Sequence, residues 1–167
     1  LKQSAATVKK VAMELGGHAP FIVFEDADLD LAVQGAIAAK FQTTGQDCLA
    51  ANRIYVHRSR YAGFCERFAE ATRALRVGNG FESGVTIGPL IGPRAIEKCV
   101  SHVADAVARG ARILAGGTVH PAGPLFFAPT VLADVTPDMR IFREETFGPV
   151  AALTVFEDDA EVLRSAN

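Results

Sequence analysis

The sequence predicts an α/β domain, in which a mainly parallel, twisted sheet is flanked by helices. Apolar segments of strand length alternate along the chain with amphipathic segments of ten or more residues. The 167 residues amount to about one domain, and the 49% of apolar and 22% of charged residues are typical of a folded globular chain. Strands separated by helices of this length are joined by crossovers, which parallel sheets require.

The first predicted elements are a helix and two strands. Residues 3–10 have a helix-like pattern. At 11–15 the residues alternate, which predicts a strand that carries Glu14 on the face opposite Met13. After a glycine pair, residues 21–24 are uniformly apolar and predict a second strand.

Two helices and one strand are predicted in the middle of the chain. Asp28 is a suitable N-cap for a helix that extends to Phe41, because its carboxylate can accept hydrogen bonds from the free N–H groups of the first turn. Cys48 lies in the loop between this helix and a strand at 53–56. Ser59 is a plausible cap for the next helix, whose apolar face is formed by Tyr61, Phe64, Cys65, Phe68 and Leu75.

The C-terminal half adds a helix, three strands and a last helical segment. Pro93 suits the first position of a helix, where its missing N–H has no intrahelical partner, and Gly110 suits the end of that helix. A second helical pattern begins at Glu157. The strands are predicted at 112–115, 126–132 and 150–156.

Composition and charge indicate which partners and which kinds of site are not expected for this chain. The 17 basic and 19 acidic residues give a net charge of −2, so neither nucleic acid nor a membrane surface is expected as a partner. No apolar run approaches the roughly 18 residues that span a bilayer. Three cysteines without paired spacing favour a reducing compartment, so we expect a cytoplasmic protein. The four histidines lack metal-ligand spacing, and no metal site is expected.

Cys48 is the strongest candidate for chemistry. It follows a Gly-Gln-Asp sequence in a loop after a helix, and an accessible loop thiol is a candidate nucleophile. Judged on its own, a loop cysteine is more often a packed thiol than a catalytic one. Cys65 and Cys99 lie on or beside apolar helical faces, which indicates packing residues.

Glu14 is the second candidate. A carboxylate at the end of a buried strand, just before a Gly-Gly turn, can have its pKa raised by desolvation and act as a general base. The same pattern also describes a glutamate at the edge of a sheet that faces water. Spacing alone favours this second interpretation.

Six sequence blocks resemble those of the aldehyde dehydrogenase family, in the family's order. Residues 14–17 (Glu-Leu-Gly-Gly) resemble its glutamate signature, and residues 45–48 (Gly-Gln-Asp-Cys) resemble its cysteine signature. The other four blocks lie at 77–80, 88–91, 129–132 and 144–150. Together they span nearly the whole chain, so the resemblance is to the family's α/β catalytic domain.

The resemblance implies a role for each of these residues. Cys48 would attack the aldehyde carbon to give a thiohemiacetal, which becomes a thioester once hydride has left, and Glu14 would activate the water that releases a carboxylic acid. For NAD or NADP, Glu145 would hold ribose hydroxyls of the nicotinamide half. Phe147 would pack against the nicotinamide ring, and the Leu15 backbone would lie near its amide.

The resemblance also implies features outside the chain. Family members carry a separate dinucleotide-binding domain, largely N-terminal to this region, and helical patterns run up to both ends of the sequence. We therefore expect residues 1–167 to be a catalytic domain truncated at both ends. By itself this piece is expected to be inactive, whereas the complete protein is expected to form a homo-oligomer.

Residues 17–28 are most similar to the succinate-semialdehyde dehydrogenase branch of the family. In that branch an arginine six residues before the nucleophile grips the substrate's distal carboxylate, and Gln42 occupies this position here. A neutral amide cannot form the bidentate charged pair that arginine makes with a carboxylate. Its absence weakens the free energy of substrate binding by about 1.5–3 kcal/mol. A semialdehyde such as succinate semialdehyde is expected as substrate, with a longer ω-oxo acid or an uncharged aldehyde as alternatives.

Two other classes of function stay open. A cofactor-independent thiol hydrolase would pair Cys48 with a histidine, and His57 is the nearest along the sequence but lies beyond an intervening strand. A non-catalytic homologue would need neither Cys48 nor Glu14, whereas the sequence contains both.

Overall fold

The computed structural model describes all 167 residues and contains six helices and five strands. The helices are α1 (Lys2–Ala5), α2 (Leu29–Phe41), α3 (Arg58–Arg73), α4 (Pro93–Ala108), α5 (Arg140–Arg143) and α6 (Asp159–Ala166). The strands are β1 (Ala19–Val23), β2 (Ala51–His57), β3 (Arg112–Ala115), β4 (Thr130–Ala133) and β5 (Val150–Phe156). A 3₁₀ turn at Gln42–Gly45 directly follows α2.

The five strands form one sheet in the order β1-β2-β5-β4-β3. β1 is parallel to β2, β2 to β5 and β5 to β4, whereas the edge strand β3 is antiparallel to β4. The register places Ile54 of β2 beside Leu153 of β5. The predicted α/β class with a mainly parallel sheet is therefore confirmed.

Helices cover both faces of the sheet. Successive residues of β5 alternate between two apolar clusters: Ala151 and Leu153 pack with α2 and α3, whereas Val150 and Ala152 pack with α4. Because side chains point to opposite faces at each step along a strand, the two clusters lie on opposite sides of the sheet. The largely apolar sequence of β5, in which Thr154 is the one polar residue, follows from this double coverage.

Several predicted helix ends are confirmed. Oδ1 of Asp28 accepts hydrogen bonds from the N–H groups of Asp30 and Leu31, at 2.9 and 3.0 Å. Pro93 begins α4, and Gly110 follows this helix in the left-handed conformation that glycine adopts without strain. The predicted cap of α3 is wrong by two residues, because β2 runs straight into the helix and the His57 side chain accepts from the Ser59 N–H.

The strand predicted at 11–15 is wrong. Residues 9–18 have no regular secondary structure, and Val11 and Met13 are exposed, so their alternation does not correspond to a buried face. The N-terminal helix is also shorter than the predicted 3–10 and ends at Ala5. Glu14 is exposed and does not belong to a buried strand.

The strand predicted at 126–132 begins only at Thr130. Phe127 makes an isolated bridge to Val119 instead, and Pro129 has no N–H with which to extend a ladder. No helix combines the length and apolar character that crossing a membrane requires.

Candidate active site

Three segments that carry candidate residues meet at one edge of the sheet. Residues 14–17 precede β1, Cys48 precedes β2 and residues 145–147 precede β5. Since β1, β2 and β5 are adjacent and parallel, the amino ends of these strands lie side by side. The topology thus brings together residues that are up to about 130 positions apart in the sequence.

These segments form an open cleft of about 610 Å³. Cys48 is partly buried in it, whereas Glu14 is exposed on its wall. The full lining is Glu14, Leu15, Gly16, Gln46, Asp47, Cys48, Lys98, Glu145 and Phe147. Every predicted catalytic and cofactor-binding residue is therefore part of one cleft.

The turn before Cys48 has an unusual backbone. Thr43 and Thr44 adopt left-handed φ values of 52° and 60°, which are strained for β-branched residues. Gly45 is also left-handed, with φ of 69°, and a Cβ there would lie 2.4 Å from the carbonyl oxygen of Gly148. This turn redirects the chain so that Cys48 faces the cleft rather than continuing α2.

Hydrogen bonds hold the Cys48 loop against the segment at 88–91. Oγ1 of Thr44 accepts from the Gly88 N–H at 2.9 Å. Oε1 of Gln46 accepts from the Ile91 N–H at 2.8 Å, and Nε2 of Gln46 donates to the Pro89 carbonyl at 3.3 Å. Two of the sequence blocks that signalled the family are thus in direct contact.

Gly17 lies where the three segments cross. Its N–H donates to Oε1 of Glu145 at 3.0 Å, and a Cβ on Gly17 would lie 1.9 Å from the carbonyl oxygen of Cys48. At Gly16 a Cβ would lie 2.7 Å from Oε2 of Glu145. Glycine is needed at position 17 because the chain passes against the backbone of the Cys48 loop with no room for a side chain, whereas a side chain at position 16 would meet only the movable carboxylate of Glu145.

The residues on either side of Glu145 both bond to a buried histidine. His102 of α4 is fully buried, and its Nδ1 and Nε2 lie 3.0 Å from Thr146 Oγ1 and 3.1 Å from Glu144 Oε2. Nη2 of Arg140 donates to the same Glu144 oxygen at 2.9 Å. The hydrogen bond from Arg140, followed by that of His102, lowers the pKa of Glu144 to about 2, whereas burial lowers the pKa of His102.

The other two cysteines behave as packing residues. Cys65 and Cys99 are buried in the two apolar clusters. Burial raises the pKa of each thiol to about 11, so neither is a thiolate near neutral pH. Their predicted role in packing is confirmed, and neither lines the cleft beside Cys48.

Two residues are placed differently from what the sequence suggested. Lys98 of α4 lines the Cys48 cleft, although no motif singled it out, because a lysine beside an apolar helical stripe looks like an ordinary surface residue. Gln42 is exposed and lines a separate cavity of about 400 Å³ with Phe41 and Thr43. The Cys48 cleft therefore offers a cation that was not expected, while Gln42 lies outside its walls.

His57 is far from the candidate nucleophile. Cys48 precedes the first residue of β2, and His57 is the last of its seven residues. At about 3.3 Å per residue, the strand separates the two by roughly 20 Å. No histidine lines the cleft, so the structure contains no Cys48–histidine pair for a thiol hydrolase.

Comparison with known proteins identifies the family of the chain. The model of the aldehyde dehydrogenase family matches residues 1–167. A 3-sulfolactaldehyde dehydrogenase of Pseudomonas putida is 55% identical over 165 residues, which cover 99% of this chain and 34% of that protein. An NADP(+) succinate-semialdehyde dehydrogenase of Escherichia coli is 50% identical over 167 residues, covering 100% of this chain and 35% of that protein.

Solved structures give the same result. A succinate-semialdehyde dehydrogenase from Burkholderia pseudomallei superposes with a TM-score of 0.96 at 54% identity, over 99% of this chain and 34% of that one. The NAD+ complex of an aldehyde dehydrogenase from Bacillus cereus has a TM-score of 0.92 at 37% identity, with the same coverage. The chain spans about a third of the length of these relatives. It belongs to the aldehyde dehydrogenase family.

Proposed function

We propose that this chain is the catalytic segment of a longer NAD(P)-dependent dehydrogenase that oxidises an aldehyde to a carboxylic acid. The observation that carries the proposal is the convergence of Cys48, Glu14, Glu145 and Phe147 on one cleft. A nucleophile, a carboxylate base and a cofactor-facing pair are the groups that this oxidation needs.

In the proposed reaction, the Cys48 thiolate attacks the aldehyde carbon and forms a thiohemiacetal. The Cys48 backbone N–H helps to stabilise the oxyanion as negative charge develops. When bound, the cofactor supplies an acceptor for the hydride that leaves this carbon, and a thioester remains on Cys48. Glu14 then takes a proton from a water molecule as the water oxygen attacks the thioester carbon; the C–S bond breaks, the carboxylic acid is released, and Cys48 leaves as the thiolate that began the cycle.

The residues of the cleft fit a nicotinamide cofactor. The Glu145 carboxylate can accept hydrogen bonds from ribose hydroxyls, and its hydrogen bond with Gly17 fixes its orientation. Phe147 is 38% exposed and lines the cleft wall, where a planar ring can pack against its side chain. Lys98 contributes a nearby donor. Relatives named for NADP(+) or solved with NAD+ support either cofactor.

A small semialdehyde is the proposed substrate class. The relatives are named for succinate semialdehyde and 3-sulfolactaldehyde, two aldehydes that carry an acidic group. Gln42 is neutral and lies outside the Cys48 cleft, so it does not supply the charge for that group. We propose that a cation elsewhere in the longer protein does so; an uncharged aldehyde or another ω-oxo acid is the alternative.

The full-length enzyme tests the reaction and the substrate class together. We would measure kcat/KM for succinate semialdehyde and for butyraldehyde by following NAD(P)H formation with each cofactor. A preference above about tenfold for the charged substrate is expected. Equal or reversed preference would contradict the semialdehyde assignment, and inactivity with both would contradict the reaction.

Glu14→Gln separates this reaction from simple thiol chemistry. The amide cannot accept the proton of the hydrolytic water, so we expect a burst of NAD(P)H of about one equivalent, followed by slow turnover and a thioester on Cys48 that mass spectrometry detects. Cys48→Ser is the matched variant and should show no burst. Normal steady turnover by Glu14→Gln would remove Glu14 from the proposed mechanism.

A further inference from the structure

Lys40 is a buried cation that the proposed reaction does not use. It lies in the last turn of α2, and its side chain is completely buried. Its Nζ donates a hydrogen bond to Oδ1 of Asn52 at 2.7 Å, and Asn52 is buried as well. Lysines are almost never fully buried unless they have a partner.

Packing alone does not account for this lysine. Burial lowers the pKa of Lys40 to about 8, so its ammonium is disfavoured by the folded state. The resulting loss of stability is present at neutral pH and disappears as pH rises from about 8 towards the ordinary value of 10.5. An apolar side chain of similar length would fill the same space without this loss.

The ammonium fixes the direction of the Asn52 amide. A lysine can only donate hydrogen bonds, so the oxygen of the amide must face Nζ. The amide nitrogen then points the other way, where Nδ2 lies 3.4 Å from the carbonyl oxygen of Gly17. A neutral donor–acceptor group in place of Lys40 would allow either orientation of the amide.

Gly17, whose carbonyl faces the Asn52 amide, is in turn in contact with Glu145 and with the Cys48 loop. Its N–H is bonded to Glu145, and its Cα lies against the Cys48 carbonyl, because an added Cβ would be 1.9 Å from that oxygen. Gly17 also ends the exposed segment that carries Glu14, which has no regular secondary structure to hold it. Gly17 is therefore an attachment point of the Glu14 segment to the sheet edge.

We propose that Lys40 is a positioning residue, which acts through Asn52 to hold Gly17 and thereby sets Glu14 and Glu145 relative to Cys48. The inference rests on the proposed dehydrogenase function. Lys40 contacts neither substrate nor cofactor, and its effect is on the geometry of groups that do. A displacement of about 1 Å at such groups can lower the rate about a hundredfold.

The test compares four forms of the full-length enzyme. Lys40→Met removes the ammonium and keeps the length of the side chain. Asn52→Asp keeps an acceptor for Lys40 and replaces the donor that faces Gly17 with a carboxylate oxygen, which cannot donate to the Gly17 carbonyl. Thr72→Val is the matched control, because Thr72 is also buried and polar but bonds to Phe68 within α3.

Hydrogen exchange of the peptide that contains Gly17 gives a readout independent of catalysis. Because this amide is held by Glu145 only while Gly17 stays in place, Lys40→Met and Asn52→Asp should exchange it about tenfold faster. Both variants should also lose about tenfold in kcat with KM changed less than about twofold. Thr72→Val should change neither the exchange nor the ratio of kcat to KM.

The outcomes separate the two proposals. Wild-type exchange at Gly17 in both variants overturns the positioning role, and so does faster exchange with unchanged kcat. A melting temperature of Lys40→Met equal to that of the wild type or higher, together with a lower kcat, supports positioning over structural support. If the wild type oxidises no aldehyde, the dehydrogenase proposal fails, whereas the exchange measurement still decides whether Lys40 controls Gly17.

Discussion

Gly17 occupies a position at which no side chain fits. Gly17 is neither in a turn nor at a positive φ, so glycine is needed there for a different reason. The backbone of Gly17 lies so close to the carbonyl oxygen of Cys48 that even a methyl side chain would clash with it. The same residue donates to Glu145. One glycine thus determines how closely the segment that carries Glu14 approaches Cys48 and Glu145.

Gly17→Ala should therefore disrupt the site. The added Cβ has to move away from the Cys48 oxygen by about 1 Å before it reaches an allowed contact, and we expect kcat/KM to fall about a hundredfold. Gly80→Ala is the control, because nothing lies within 4 Å of a Cβ at Gly80. Steady-state kinetics on both full-length variants would decide, and equal activity of the two would contradict this account of Gly17.

Among the structural elements, α4 and the segment before β5 form one supporting unit. The buried His102 of α4 bonds to Glu144 and Thr146, which lie on either side of Glu145. Arg140 extends the unit by its hydrogen bonds to Glu144. Lys98, on the same helix, reaches the cleft itself. A helix that the sequence presents as an ordinary amphipathic element thus supports one wall of the site.

This unit predicts a loss of stability in acid. The pKa of Glu144 is lowered to about 2 from 4.5, so its stabilising effect is complete above pH 4.5 and is lost as pH falls towards 2. The pKa of His102 is also lowered, and protonation therefore favours the unfolded state as pH falls below 6.5. Both pKa shifts therefore lower the stability of the folded state as pH falls.

Glu144→Gln should remove the part of the pH dependence of stability that comes from the Glu144 carboxylate. Because Glu144 is half-exposed, solvent screens it, and we expect Tm to fall by only about 2 °C at pH 7, with the difference from the wild type vanishing near pH 2. Thermal unfolding across pH measures this. Glu157→Gln, which removes an exposed ion pair with Arg58, is the control. A difference that persists unchanged at the lowest pH would contradict the assignment to Glu144.

At the scale of the whole molecule, the cleft is open. Glu14 and Leu15 are exposed on its wall, and the chain spans about a third of the length of its relatives. In an open cleft, water competes for the groups that must hold cofactor and aldehyde, and oxyanion donors are less effective than in an enclosed site.

We therefore expect the 167-residue chain alone to form no NAD(P)H from an aldehyde. The measurement is NAD(P)H formation by the purified chain at high concentration, with the full-length enzyme as the positive control. A Cys48→Ser form of the chain controls for contaminating activity. Steady, Cys48-dependent turnover by the chain alone would show that the remaining two-thirds of such proteins are not needed for the reaction.

The sequence was sufficient to predict the structural features that depend on residues close together along the chain. The segment 150–156 is apolar at every position except Thr154, because helices cover both faces of the sheet. Asp28, Pro93 and Gly110 mark helix ends through their own hydrogen bonds or backbone preferences. The Cys48 and Glu14 blocks were also recognisable, since each is a short contiguous motif.

The tertiary structure decided the features that depend on partners distant in the sequence. Alternation at 11–15 resembles a strand, but no neighbouring strand pairs with it, and the segment stays exposed. Lys98 and Lys40 look like ordinary helix lysines until the fold places one in the cleft and buries the other beside Asn52. The sequence by itself determined the family and the fold class and singled out the candidate reacting groups. Their common cleft and its supports arise only when β1, β2 and β5 align, because their contacts join residues far apart along the chain.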